Sequence, residues 1–222
     1  MFKVARSFPP PASLAARRSY TGDDVLEALN RDFLGKCYIC ETQEPLSLNV
    51  EHFVAHEGDE ELTYSWNNLF LSCARCNNFK RHHYNNLLDC TDDRVDVLRA
   101  IEHIAPASPG AKVRVIARLP DESTRSTAEL ICRIFNEDNT GNKRVTSAYM
   151  KKRLFSEYAT FIRYVNAYID QNTIKEDRDR AVLHIRHMMR DAQQYSAFLR
   201  WVALNDPTIY ALVEDVIPMA GA

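Results

Sequence analysis

Apolar positions along this chain repeat with two different periods. Between 21 and 35, TGDDVLEALNRDFLG, Val25, Leu26, Leu29 and Phe33 recur at helical spacing and give a short helix one apolar face. Thr21 is placed to cap it, Asp23 and Asp24 suit the positive end of its dipole, and Gly35 can end it. Residues 46–54, LSLNVEHFV, and 111–118, AKVRVIAR, alternate instead, which is the period of a strand. Residues 93–103 suggest another helix, and APASPG at 105–110 is a breaker cluster that reads as a linker.

The remainder of the chain is helical. Met150, Leu154, Tyr158, Phe161, Val165 and Tyr168 repeat at helix spacing through 147–169. Helices continue over 174–190 and 194–204, and Pro207 opens the last segment. At the other end, residues 1–20 carry neither period. Pro9, Pro10 and Pro11 cannot continue a helix and favour polyproline II, so this stretch is an extended arm, either packed on its own domain or offered to a partner. The expected organisation is the arm at 1–20, a site-bearing module at 21–90 and a mostly helical region at 91–222, with a soft boundary near 90–110. The fold class is α+β, mainly helical.

Composition narrows this little. The chain is 45% hydrophobic and 26% charged over 222 residues, enough to bury a sizeable core. A formal net charge of -2 excludes a global basic field, so contact with a polyanion must come from a local patch. No apolar run is long enough to span a bilayer, and the proline-broken N-terminus has no signal-peptide core. The expected location is the cytoplasm, where cysteines stay reduced and serve as metal ligands rather than disulfides.

Four of the six cysteines form two pairs, Cys37-Tyr-Ile-Cys40 and Cys73-Ala-Arg-Cys76. A two-residue gap lets one turn aim both sulfurs at a single ion, so two such pairs predict a structural four-thiolate zinc site. A simple zinc ribbon separates its pairs by roughly 15–20 residues. Here the insert from Glu41 to Ser72 is longer, so the zinc clips together something larger, carrying Glu51, His52, His56 and Asn68. Cys90 and Cys132 lack a partner at metal spacing and read as buried small hydrophobes.

On the strand that contains them, Glu51 and His52 point to opposite faces, so one can bind a metal while the other faces substrate. A histidine suits general-base work at neutral pH. Asn77 and Asn78 follow Cys76 at what should be the first turn of a helix, where phosphate is favoured.

The run EH, Asn68, CxxCN and Lys80, preceded by CxxC, resembles the HNH endonucleases with their ββα-metal core. The wider strings KCYICE, NVEHFVAH, WNNLFLSCARCNNFK and FKVARSFPPPASL resemble the PtuB-type HNH subunits of Septu anti-phage systems, which also accompany some retrons. The resemblance implies a zinc-clipped ββα-metal module in which His52 deprotonates the attacking water, Glu51 and Asn77 hold one divalent ion, and Asn68 braces the loop. Many relatives have His where this chain has Asn77. Hard oxygen ligands imply Mg²⁺ or Mn²⁺ for that ion. Asn78 stays open as the alternative to Asn77, and His56 is either a third ligand, a phosphate contact or a surface-loop histidine. The resemblance also implies a partner, an ABC-type ATPase (PtuA-like), docking on the arm or the helical region. DNA is the expected substrate; the alternatives are RNA, or a non-catalytic zinc module that grips nucleic acid or protein.

Arg75, Lys80, Arg81, His82 and His83 cluster around the expected helix and could contact backbone phosphates without reading sequence. A second basic run lies at Lys151, Lys152 and Arg153. In 175–190, Arg178, Arg180, Arg186 and Arg190 mix with acids as a salt-bridged face. Tyr158, Phe161 and Tyr168 read as core or interface rather than a base-stacking platform.

Overall fold

The computed structural model describes residues 1–138 and 145–217. The arm is built into the core. Met1, Phe2 and Val4 are buried, the Val4 N–H donates to the Cys90 carbonyl at 2.9 Å, and the Trp66 indole donates to the Ser7 carbonyl at 2.9 Å. Arg6 spreads its guanidinium over Phe33, Trp66 and Phe70, 4.6 Å from the last ring. Of the two readings of the arm, packing on its own domain is the one observed.

A one-turn helix α1 (Ala12–Ala15) precedes α2 (Asp23–Asp32). Thr21 does not cap α2. The cap position falls one residue later, on Gly22, and the Thr21 N–H is drawn to Ser19 Oγ at 3.1 Å. Gly35 closes the helix as expected: with φ at +66° it turns its N–H back to the Asn30 carbonyl at 2.8 Å.

Next come β1 (Leu48–His52), α3 (Glu60–Tyr64), a 3-10 turn at Trp66–Asn68, β2 (Leu69–Cys73) and α4 (Ala74–Lys80). The two strands pair antiparallel, with Leu48 opposite Cys73 and His52 opposite Leu69. This is a ββα unit. At roughly 3.3 Å per residue, the two ends of the hairpin lie about 13 Å apart.

The helix expected over 93–103 is a correction. Only α5 (Val97–Ala100) is helical, and Ile101–Ile104 forms β3, antiparallel to β4 (Arg114–Ala117) with Ile101 opposite Ala117. Ile101, Glu102 and His103 are all buried, so this short strand shows no alternation that would set it apart from the preceding VLRA turn. The 105–110 breaker therefore joins a pair of strands and is no linker. The chain continues through α6 (Glu122–Asn136), α7 (Ser147–Ile169), α8 (Lys175–Met188), α9 (Ser196–Leu204) and α10 (Pro207–Tyr210).

One apolar cluster unites the arm, the ββα unit, β3, α6 and the first half of α7; its members include Phe2, Cys37, Phe70, Ile101, Ile131 and Leu154. It runs across the division expected near 90–110. A second cluster, with Phe161, Ile185, Met189 and Ile209, joins the far half of α7 to α8, α9 and α10. Phe161 is fully buried there, with Tyr158 and Tyr168 packed alongside, so the aromatic stripe is core. Arg180 pairs with Asp177 at 3.1 Å and Arg186 with Asp215 at 2.5 Å, in keeping with a salt-bridged face on α8. Among the described residues no helix is long and apolar enough to cross a membrane.

Candidate active site and metal centre

Cys37 and Cys40 sit on a tight turn. The Cys37 N–H donates to the Thr42 carbonyl at 3.1 Å, the Glu41 N–H to the Cys37 carbonyl at 3.0 Å, and Glu41 takes φ +59°. Cys73 ends β2 and Cys76 lies in the first turn of α4. All four are buried, and their sulfurs lie within 4.8 Å of one another. Cys40 Sγ and Cys73 Sγ are 3.9 Å apart, far beyond the ~2.05 Å of a disulfide. Zinc–sulfur bonds of about 2.3 Å in a tetrahedron put sulfurs about 3.8 Å apart, so the set fits one zinc ion. Cys90 is buried as expected; Cys132 is only half-buried, its thiol directed at the Val113 carbonyl.

At the other end of the hairpin, Glu51 and His52 face opposite sides. The Glu51 carboxylate is 5% exposed and pairs through Oε1 with Lys80 Nζ at 2.8 Å. Its Oε2 is buried and has no hydrogen-bond partner among the described residues. Burial raises the Glu51 pKa, and Lys80 opposes that rise without overcoming it. The His52 ring is half-buried, 3.1 Å from the Thr63 carbonyl through Nε2. Burial lowers its pKa, against the opposing pull of that carbonyl. The imidazole is therefore neutral at neutral pH. A neutral ring that donates Nε2–H to a carbonyl keeps its lone pair on Nδ1.

Asn68 ties the loop after β1. Its Oδ1 accepts the Val54 N–H at 2.8 Å, and its Nδ2 donates to the Val54 and Leu62 carbonyls, each at 3.0 Å. Asn77 is half-buried and three residues before Lys80, hence on the face of α4 that reaches β1; Asn78 is exposed. His56 packs its ring 4.6 Å from that of His52, and its Nδ1 accepts the Gly58 N–H at 3.2 Å.

Two of the expected phosphate contacts are corrections. Arg75 is 1% exposed and spends its guanidinium on the end of α6, donating to the Ile134 carbonyl at 2.7 and 2.9 Å, to the Glu137 carbonyl, and to the Val145 carbonyl at 2.8 Å. A cation among the last carbonyls of a helix is a C-terminal cap, not a surface charge. Lys80 is fully buried between Glu51 and the His52 carbonyl, 2.9 Å from the latter. Arg81, His82 and His83 are exposed, the two histidine rings 4.0 Å apart.

Two groups at the site have no signal in the local sequence. Tyr20, from the segment before α2, sets its ring 4.8 Å from that of His52 at an interplanar angle of 62°. The Thr63 carbonyl is a backbone group that no residue type announces.

Residues 37–83 match the model of the HNH endonuclease family, so this ββα segment with its cysteine clip is an HNH domain. More particularly, the chain is similar to the Septu protein PtuB of Bacillus mycoides (strain KBAB4), with 35% identity over 81 residues. That match covers 30% of this chain and 28% of the relative, so the chain spans well under half of the relative's length.

Proposed function

We propose that this protein is a metal-dependent HNH endonuclease that hydrolyses phosphodiester bonds in DNA, acting as an effector in Septu-type anti-phage defence. The observation that carries the reading is the pair of neighbours on β1. Glu51 keeps one buried carboxylate oxygen without a partner, and His52 is neutral with its Nε2–H committed to Thr63.

Glu51 and the Asn77 amide supply hard oxygen donors, which fit Mg²⁺ or Mn²⁺ better than a soft ion. The partnerless Glu51 Oε2 is a second reason to place a cation there. When bound, such an ion polarises the scissile phosphate and steadies the charge on the leaving oxygen. His52 Nδ1 takes a proton from water as the water oxygen attacks phosphorus. The bond from phosphorus to the leaving sugar oxygen breaks, and that oxygen gains a proton from solvent. Asn68 holds the loop so that His52 keeps its place. The four thiolates bind zinc structurally, and exposed Arg81, His82 and His83 are offered to backbone phosphates.

By likeness to PtuB, the proposed partner is an ABC-type ATPase that controls cleavage in the cytoplasm, docking on the helical region. The test is cleavage of matched DNA and RNA by the wild type and His52→Ala, with and without the ATPase and with Mg²⁺ or Mn²⁺. Loss of DNA cleavage of about 10²–10⁴-fold in His52→Ala, with fold and zinc content intact, is the expected result. Cleavage retained by that variant would refute the mechanism, and preferential RNA cleavage would reassign the substrate.

A further inference from the structure

We propose that Tyr20 is a positioning residue for His52, which makes the segment ahead of α2 part of the active site although it lies outside residues 37–83. The inference rests on the reading of His52 as the general base.

A histidine ring on a strand has broad freedom about its last torsion, because that bond joins sp³ to sp² carbon. The one hydrogen bond to the Thr63 carbonyl holds a single ring atom and leaves the ring free to pivot about it. Packing must supply the rest. Tyr20 meets the His52 ring edge to face at 4.8 Å, and His56 meets it at 4.6 Å and 56°. Tyr20 and His56 are themselves 6.5 Å apart, so the three rings form a triangle in which His52 cannot turn unless a neighbour moves.

Both flanking rings are carried on tethered segments. Behind Tyr20, Ser13 binds Asp24 through its N–H at 2.9 Å and its hydroxyl at 2.5 Å, and the Arg18 N–H returns to the Ser13 carbonyl at 2.9 Å. Arg17 ties the same segment to Glu60 and Glu61 at the start of α3, the helix whose Thr63 carbonyl receives His52. Tyr20 packs against the main apolar cluster. His56 is set by the Gly58 N–H on its Nδ1 and by the Asp59 N–H on its carbonyl at 2.7 Å. The segment and α3 thus grip the imidazole from two sides, one by ring contact and one by hydrogen bond.

The experiment compares wild type, Tyr20→Phe, Tyr20→Leu, Tyr20→Ala and His52→Ala on end-labelled linear duplex DNA with Mn²⁺, alongside imidazole ¹⁵N–¹H correlation spectra. A misplaced base loses rate rather than affinity. Tyr20→Ala and Tyr20→Leu should lower kcat roughly 10- to 100-fold with KM within about threefold, and Tyr20→Phe should restore the wild-type rate. The spectra should show one His52 tautomer, protonated at Nε2, in wild type and Tyr20→Phe, and a mixture in Tyr20→Leu. Unchanged kcat, a loss confined to KM, a Tyr20→Phe variant as impaired as Tyr20→Ala, or a single tautomer in Tyr20→Leu would each overturn the proposal. Cleavage retained by His52→Ala would instead sink the general-base reading, and the spectra would still decide whether Tyr20 orients the ring.

Discussion

Two buried glutamates in this protein have opposite electrostatics. Glu41, 2% exposed, has Lys36 at 3.3 Å and the Met1 ammonium at 3.2 Å, and also accepts from the Ser196 hydroxyl at 3.1 Å and the Ala197 N–H at 3.2 Å. Burial alone would raise its pKa, but these partners hold it far below the ordinary carboxylate range, Lys36 foremost. Glu51 is almost as buried and also faces a lysine, yet its pKa lies above the ordinary value because burial outweighs the one cation it pairs with, Lys80. Burial therefore does not separate a structural carboxylate from one kept for a ligand; the count of cations it faces does, two for Glu41 and one for Glu51 among the described residues. Glu41 has a cation at each oxygen, although its Oε1 meets the Met1 ammonium without a hydrogen bond, and it stitches α9 to the turn that carries Cys37 and Cys40. Glu51 is left one cation short.

The heaviest blow to this contrast is removal of the zinc. Glu41 follows Cys40 directly, so the turn that aims one carboxylate is the turn that the proposed zinc would order. Structural zinc contributes roughly 10 kcal/mol or more in small domains, so Cys73→Ser or a strong chelator should unfold the HNH domain. Circular dichroism and zinc analysis would read this, and a folded, zinc-loaded Cys73→Ser protein would remove the four-thiolate assignment.

A direct comparison of the two carboxylates comes next. Glu41→Gln strands two buried cations and should cost about 3–5 kcal/mol by denaturant titration. Glu51→Gln strands one, which keeps the His52 carbonyl, and removes a carboxylate that folding already disfavours. Its cost should stay at or below about 2 kcal/mol, with divalent-ion-dependent cleavage lost. Equal destabilisation, or cleavage surviving in Glu51→Gln, would collapse the distinction.

The smallest effect is a pH slope from the Glu41 cluster. His103 faces the Met1 ammonium at 3.1 Å, Glu41 and the Phe198 ring, and burial pushes its pKa down to about 3. Below an unfolded pKa near 6.5 the unfolded chain binds a proton that the native ring refuses. Stability is thus whole above that value and falls by about 1.4 kcal/mol per pH unit as the solution is acidified toward pH 3. Denaturation of wild type and His103→Gln at pH 7 and about 5.5 would show the variant with the shallower slope; identical slopes would assign it to other groups.

The cysteine spacing, the alternation through Glu51 and His52 and the long period of α7 were legible because each is a local regularity. Lys80 and Arg75 were misread for the opposite reason. A lysine or arginine in a short polar helix is by default exposed, and what buries these two is distant. Arg75 finds its acceptors at the far end of α6, and Lys80 finds a carboxylate across the hairpin. The strand at Ile101–Ile104 was lost because it directly follows a helical turn and is too short to assert its own period. Tyr20 beside His52 and Ser196 beside Glu41 are likewise long-range meetings that no spacing announces.

The Arg75 clamp also bears on portability. Cutting the chain after the HNH match would leave a buried guanidinium facing no carbonyls, Lys36 without the Asp191 carbonyl it meets at 2.8 Å, and Glu41 without Ser196. The unit that could be grafted into another protein, or expressed alone for drug screening, is consequently much larger than the segment family resemblance outlines. It must carry α6 and α9 with it, and swaps drawn at the motif's edges should yield insoluble chimeras.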